Sequence, residues 1–233
     1  MRSGLLCVAL SSLVIAAAAC SGGGSGSGSG PSAGRATGNL QVLAEAGCVA
    51  TSASIADCPV VLSVVLRDSA SNPVSGATVT MGPHGSTLST LGTAGQGVYY
   101  GTQTGLAELY DLDVQSSVGS LTGVVLAGPG NFSETLAPNP PSVGSPASLS
   151  WTPSTGNSLV GVLADVLLVG TAYTFQLDQG PAPDNGALAL PATAFPHAGH
   201  YQIDLTRGRV APLAGPGDYG VVTISRTILV DLP

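Results

Sequence analysis

Lysine is missing from this chain. All six basic residues are arginine, set against thirteen Asp and Glu, for a net charge of −7. With that balance, nucleic acid and anionic lipid head groups are poor partners. Charge of either sign is scarce at 8% of 233 residues, so solubility rests on Thr, Ser, Asn, Gln and backbone turns. Aromatics make up only 4%, with a single tryptophan, which leaves little for ring platforms of the kind glycans stack on. There is no C-x-x-C pair and no G-x-S-x-G nucleophile elbow. The glycine-rich tract 22–30 has no lysine and no helix after it, so it is no phosphate cradle. No apolar run reaches the roughly 20 residues of a membrane-spanning helix. The plentiful residues are 33 Gly and 17 Pro, a composition that argues against long helices and for many short strands.

The chain opens with Met1 and Arg2, followed by an apolar run from Leu5 to Ala19 broken only by Ser11 and Ser12. Its length suits a cleaved export signal. The stretch Ala17-Ala18-Ala19-Cys20 resembles the lipobox of bacterial lipoproteins, with Ala where Leu is commonest at position 17. The resemblance covers residues 1–20. It implies a diacylglyceryl thioether on Cys20, cleavage before it, and acylation of the new amino terminus by a fatty acid such as palmitate. Ser21 beside that cysteine implies sorting to an outer membrane. From Ser21 to Gly34 the chain is nearly all Gly and Ser, a flexible coil spanning about 20 Å. Together these features place residues 1–19 as signal peptide and 20–37 as lipidated cysteine and tether. Ordinary secretion with cleavage near Ala19, or an uncleaved anchor, is the plainer alternative.

Cys7 leaves with the signal, so Cys48 and Cys58 remain as an even pair in an oxidising compartment, and they are expected to form a disulfide. A metal pair or redox dithiol has no neighbouring histidine to support it.

Residues 38–137 read as strands divided by turns. In 60–68, Val60, Leu62, Val64 and Leu66 share one face at period two. Pro73 and Gly76 mark the following turn. The run 66–81, LRDSASNPVSGATVTM, resembles the start of carboxypeptidase-regulatory-like and Cna-B-like modules, implying an immunoglobulin-like sandwich of the kind used in stalks and adhesion. Residues 138–146 (PNPPSVGSP) read as a stiff linker. Beyond it, 147–154 resembles the B strand of a fibronectin type III domain with Trp151 facing the core. The stretch 195–207 resembles that family's approach to its F strand, implying a tyrosine corner at Tyr201. Tyr110-Leu112-Val114, Tyr173-Phe175-Leu177 and Tyr201-Ile203-Leu205 each set a tyrosine and two apolar residues on one strand face, with polar residues between. In the last strand, 221–231, Arg226 interrupts the apolar alternation, which suggests a bulge or an edge position. The expected fold is all-β: two tandem immunoglobulin-like antiparallel β-sandwiches, 38–137 and 147–233.

Chemistry-bearing groups are sparse. His197 and His200 form H-A-G-H, but Pro196 and Gly199 disfavour the helix that aligns zinc ligands; in a loop they would need Asp204 or Asp184 as a third ligand. His84 lies in a turn. Asp111 and Asp113 lie two apart on a strand, where an exposed face, a peripheral calcium site and paired catalytic carboxylates are all conceivable. A glycan site would draw on Tyr99, Tyr100 or Tyr219, one of the adjacent pair pointing outward. The sequence thus reads as a non-enzymatic cell-envelope lipoprotein that needs no cofactor. A lipid anchor holds it to the membrane, where it meets a protein partner of the cell envelope or serves as a spacer. A glycan or small-ligand module is the alternative reading, and a metal-dependent hydrolase the third.

Overall fold

The computed structural model describes residues 31–50, 54–153, 160–179, 184–215 and 217–233. Cys20 and the signal segment lie outside the described residues. In chain order the strands are β1 (Ser32–Gly38), β2 (Leu40–Ala50), β3 (Pro59–Asp68), β4 (Thr78–Pro83), β5 (Ser89–Thr90), β6 (Gly92–Gly95), β7 (Val98–Thr104) and β8 (Leu109–Gln115). They continue with β9 (Gly119–Ala127), β10 (Glu134–Ala137), β11 (Ala147–Trp151), β12 (Val160–Leu168), β13 (Thr174–Gln179), β14 (Ala187–Leu190), β15 (Gly199–Pro212) and β16 (Tyr219–Leu232). One short 3-10 turn, Ala192–Ala194, precedes β15.

Period-two runs become strands because alternation puts every second side chain out of water. On β3, Val60, Leu62, Val64 and Leu66 are buried together, and on β8 Tyr110, Leu112 and Val114 are too. Trp151 on β11 faces the core. The strands form a five-stranded sheet, β1-β9-β8-β4-β5, a three-stranded sheet, β10-β11-β14, and an eight-stranded sheet, β13-β12-β15-β16-β2-β3-β7-β6. The chain steps from the first of these sheets to the third at the buried Leu91, between β5 and β6.

The large sheet contains strands from both halves of the chain. Its seam is the parallel pairing of β16 with β2, from Tyr219 opposite Leu43 to Arg226 opposite Ala50. The other named strand pairs are antiparallel. The five-stranded sheet covers the inner face on one side of the seam: a Cβ on Gly220 of β16 would lie 2.4 Å from a methyl of Leu126 on β9, so only glycine fits that crossing. The three-stranded sheet covers the other side, where Arg207 of β15 bonds the carbonyl of Thr152 just past β11. One cluster of buried residues runs from Leu40 to Leu232 through both halves. The 138–146 segment lies against this body, with Gly144 N donating to Phe195 O at 2.7 Å.

Two sequence expectations change here. The tether read over 20–37 shares its last residues, 32–37, with β1, because the neighbouring edge of β9 supplies backbone partners that Gly/Ser composition alone does not predict. Arg226 is neither at an edge nor in a bulge. Strand β16 is fourth from the β13 edge, its register with β15 is unbroken, and Arg226 keeps the inward phase of Val222, Ile224 and Val230.

Core tyrosines hold loops through their hydroxyls. Tyr201 donates to His197 O at 2.9 Å, the corner expected from the sequence, and stacks edge-on against Phe195 at 5.3 Å. Tyr99 donates to Val74 O at 3.1 Å and accepts from Ala77 N at 2.9 Å. Tyr110 accepts from Ala107 N at 3.0 Å.

Ile224, fully buried beside the seam and opposite Cys48, gives a direct probe of these contacts. Ile224→Ala should lower unfolding stability by about 2–5 kcal/mol, read as a drop in the urea midpoint.

Candidate functional site

Cys48 and Cys58 are disulfide-bonded, with Cα atoms 6.1 Å apart and a sequence separation of 10. The bond ties the end of β2 to the start of β3, and both cysteines are buried. Closing a loop of this size contributes roughly 3 kcal/mol in the chain-entropy model. The same loop is docked by Gly105 N to Cys58 O at 2.8 Å and Leu106 N to Ile55 O at 3.1 Å.

The polar candidates are spent on local structure. His84 Nδ1 shares a 2.6 Å hydrogen bond with Asp111 Oδ1, whose other oxygen accepts from Gly85 N at 3.2 Å. Asp113 accepts from Gly123 N at 2.7 Å, where the β8–β9 register shifts. His200 Nδ1 bonds Asp231 at the solvent-exposed end of the β15–β16 pair. His197 contributes its backbone to the Tyr201 corner. Asp204 accepts from Thr227 Oγ1 at 2.6 Å and Gln202 Nε2 at 2.7 Å, and Asp184 is buried elsewhere. Among the described residues no three of His, Cys, Asp and Glu gather as a metal site.

The most unusual chemistry lies inside. Arg207 and Asp184, with side chains 2% and 1% exposed, form an ion pair at 2.9 Å. Asp184 also accepts from Trp151 Nε1 at 2.6 Å and Gly186 N at 3.2 Å. The Arg207 guanidinium lies 4.5 Å from the centre of the Phe132 ring, and that of Arg226 lies 5.9 Å from the same ring. Arg226 further donates to Asn131 Oδ1. Burial lowers the basicity of Arg207, and the charge of Asp184 works against that shift. Losing one partner of such a pair leaves an uncompensated charge and costs about 3–5 kcal/mol. Sequence reasoning singled out Arg226, named Asp184 only as a possible third metal ligand beside His197 and His200, and missed Arg207. The available signal was phase: Arg207 continues Tyr201, Ile203 and Leu205. Sealed from water, this cluster stabilises the β11–β15 packing and has no access to substrate.

The open feature is the outer face of the eight-stranded sheet. Register places Tyr100, Ser63, Glu45, Val221 and Val210 in one lane across β7, β3, β2, β16 and β15; Val221 and Val210 are buried, so the accessible part is Tyr100, Ser63 and Glu45. The lane on one side runs Val98, Val65, Leu43 and Tyr219; on the other it runs Thr102, Val61, Gly47 and Thr223. Glu45 is the one charge in these three lanes. Of the tyrosine candidates, Tyr99 is 2% exposed and belongs to the core, Tyr100 is 52% exposed on the outer face, and Tyr219 is half-buried in the adjacent lane on β16, three strands from β7. The three do not form one platform.

One buried carboxylate makes stability depend on pH. Asp218, in the β15–β16 connection, is 6% exposed and accepts from Val42 N at 2.9 Å. Burial raises its pKa above the ordinary carboxylate value, with the Val42 bond opposing. The native state therefore holds this proton to higher pH than the unfolded chain does. The stability it contributes is full below the unfolded-state pKa and is lost as pH rises through the raised native value. Asp218→Asn keeps the acceptor for Val42 and removes the titration. Its urea midpoint should fall less than the wild type's as pH rises from about 4 to 7.

No protein-family model matches the chain, and no curated protein sequence matches it. Among solved structures, the adhesin InvE of Yersinia pseudotuberculosis aligns with 81% of this chain and 60% of its own, at 20% identity and a TM-score of 0.29. The FN1–FN3 domains of chicken CNTN1 align with 84% of this chain and 65% of theirs, at 15% identity and a TM-score of 0.29. This chain therefore spans less than two thirds of the length of either. Its own sheets make it an all-β chain, with a tyrosine corner at Tyr201.

Proposed function

We propose that the chain is a non-catalytic lipoprotein of the cell envelope, held by a lipid on Cys20 and presenting immunoglobulin-like modules to a protein partner or as a spacer. The observation that carries the interaction reading is the outer face of the eight-stranded sheet. Its three central lanes carry no charge but Glu45, and Tyr100 and Val61 are exposed there. Exposed apolar side chains beside a half-buried charge are features found on binding faces. The anchor rests on the lipobox resemblance of Ala17 to Cys20 and on the Gly/Ser run between it and β1. Several acyl chains at about 0.8 kcal/mol per buried CH₂ would hold such a protein to an outer membrane almost permanently. The modules are read as 38–137 and 147–233, with 138–146 as the connection between them.

Fractionation of cells tests the anchor. The wild-type chain should sediment with membranes, and Cys20→Ala should move it to the soluble fraction. Sedimentation of that variant with the membranes would contradict lipidation.

A further inference from the structure

The outer face holds a charge that no described residue answers. Among the described residues, the Glu45 carboxylate has no hydrogen-bond or ion-pair partner. It is half-buried between Leu43 and Gly47 along β2, and between Ser63 and Val221 across it. Burial by these neighbours raises its pKa. A lone carboxylate in such surroundings disfavours its own charged state, yet the surrounding positions remain apolar or neutral.

None of the cations among the described residues pairs with it. Arg207 and Arg226 are buried against Phe132, and Arg209 lies on the inner phase of β15, 3.5 Å from Gly128 O. Arg67 is bonded to Ser71 O at 2.8 Å, and Arg35 sits on β1 in a different sheet. The sequence holds no lysine.

We propose that the outer face of the eight-stranded sheet docks a partner protein that places one Lys or Arg side chain on Glu45, surrounded by apolar side chains over Tyr100 and Val61. The inference rests on the interaction reading above and specifies the chemistry of the partner. Charge complementarity selects the occupant. An apolar partner with no cation would strip the remaining water from Glu45 and leave it unpaired, so it is rejected, while a cation there forms the ion pair the face lacks. Neighbouring strands lie about 4.8 Å apart, so the three strands from β7 to β2 present an accessible lane roughly 10 Å across, wide enough for an extended protein segment and too flat to enclose a small cation.

The test is photo-crosslinking in cells with the full chain, using a benzophenone amino acid at Val61 and, separately, at Leu229 near the far end of β16. The adduct from Val61 should contain a partner peptide carrying Lys or Arg. Glu45→Gln should reduce its yield several-fold and Glu45→Arg by about tenfold or more. Reversing the partner's cation to Glu should restore yield with Glu45→Arg. Unaltered urea midpoints for the Glu45 variants show that the sheet is intact. Adducts from Val61 that ignore both substitutions, that join two copies of this chain, or that contain only polysaccharide would overturn the inference. Protein adducts from Leu229 alone would overturn it while leaving the interaction reading in place. No protein adduct from either position would remove both.

Discussion

The parallel pairing of β16 with β2 is the constraint on which the rest of this structure depends. It puts the last strand next to the second and turns two sets of strands into one eight-stranded sheet. Both smaller sheets then pack on a common inner face, at Gly220 against Leu126 on one side and at Arg207 against Thr152 on the other. Parallel pairs need a long connection between their strands, and here that connection is most of the chain. The seam therefore forms only when both halves are in place, and it leaves no hinge within the large sheet.

The few charges are divided between the two faces of that sheet. On the inner face, Arg207 has Asp184 and Phe132, and Arg226 has Asn131 and the same ring, so each buried cation is compensated by fixed neighbours. On the outer face, Glu45 has only apolar and neutral neighbours. The first arrangement favours a unique packing of the three-stranded sheet on β15, because any shift would strand a charge away from its partner. The second leaves an interaction open to another molecule. In a chain with 8% charged residues, one unanswered carboxylate in a neutral field is a specific mark.

Much of the strand structure was legible because period-two burial is a local property. Val60 to Leu66, Tyr110 to Val114 and Tyr201 to Leu205 declare their inner faces in a few residues each. The disulfide and the Tyr201 corner were legible for the same reason, being short-range in sequence. Sheet order was not, since the pairing of Leu43 with Tyr219 joins residues with no shared local signal. Arg226 was misread because an arginine on an apolar strand looks like an interruption until Phe132 and Asn131, distant in sequence, arrive beside it. Asp184 lies in a Pro- and Gly-rich stretch that reads as a turn, and nothing nearby forecasts its burial with Arg207. For the outer face, Glu45 drew no notice in the sequence, because the lanes around it depend on several strands meeting in register.

Differential scanning calorimetry of the disulfide-intact protein tests the shared sheet most directly. A body unified by the β16–β2 seam unfolds in one transition, with calorimetric and van't Hoff enthalpies in a ratio near one. Two resolved transitions, or a calorimetric enthalpy about twice the van't Hoff value, would show that the halves unfold independently and would contradict the account.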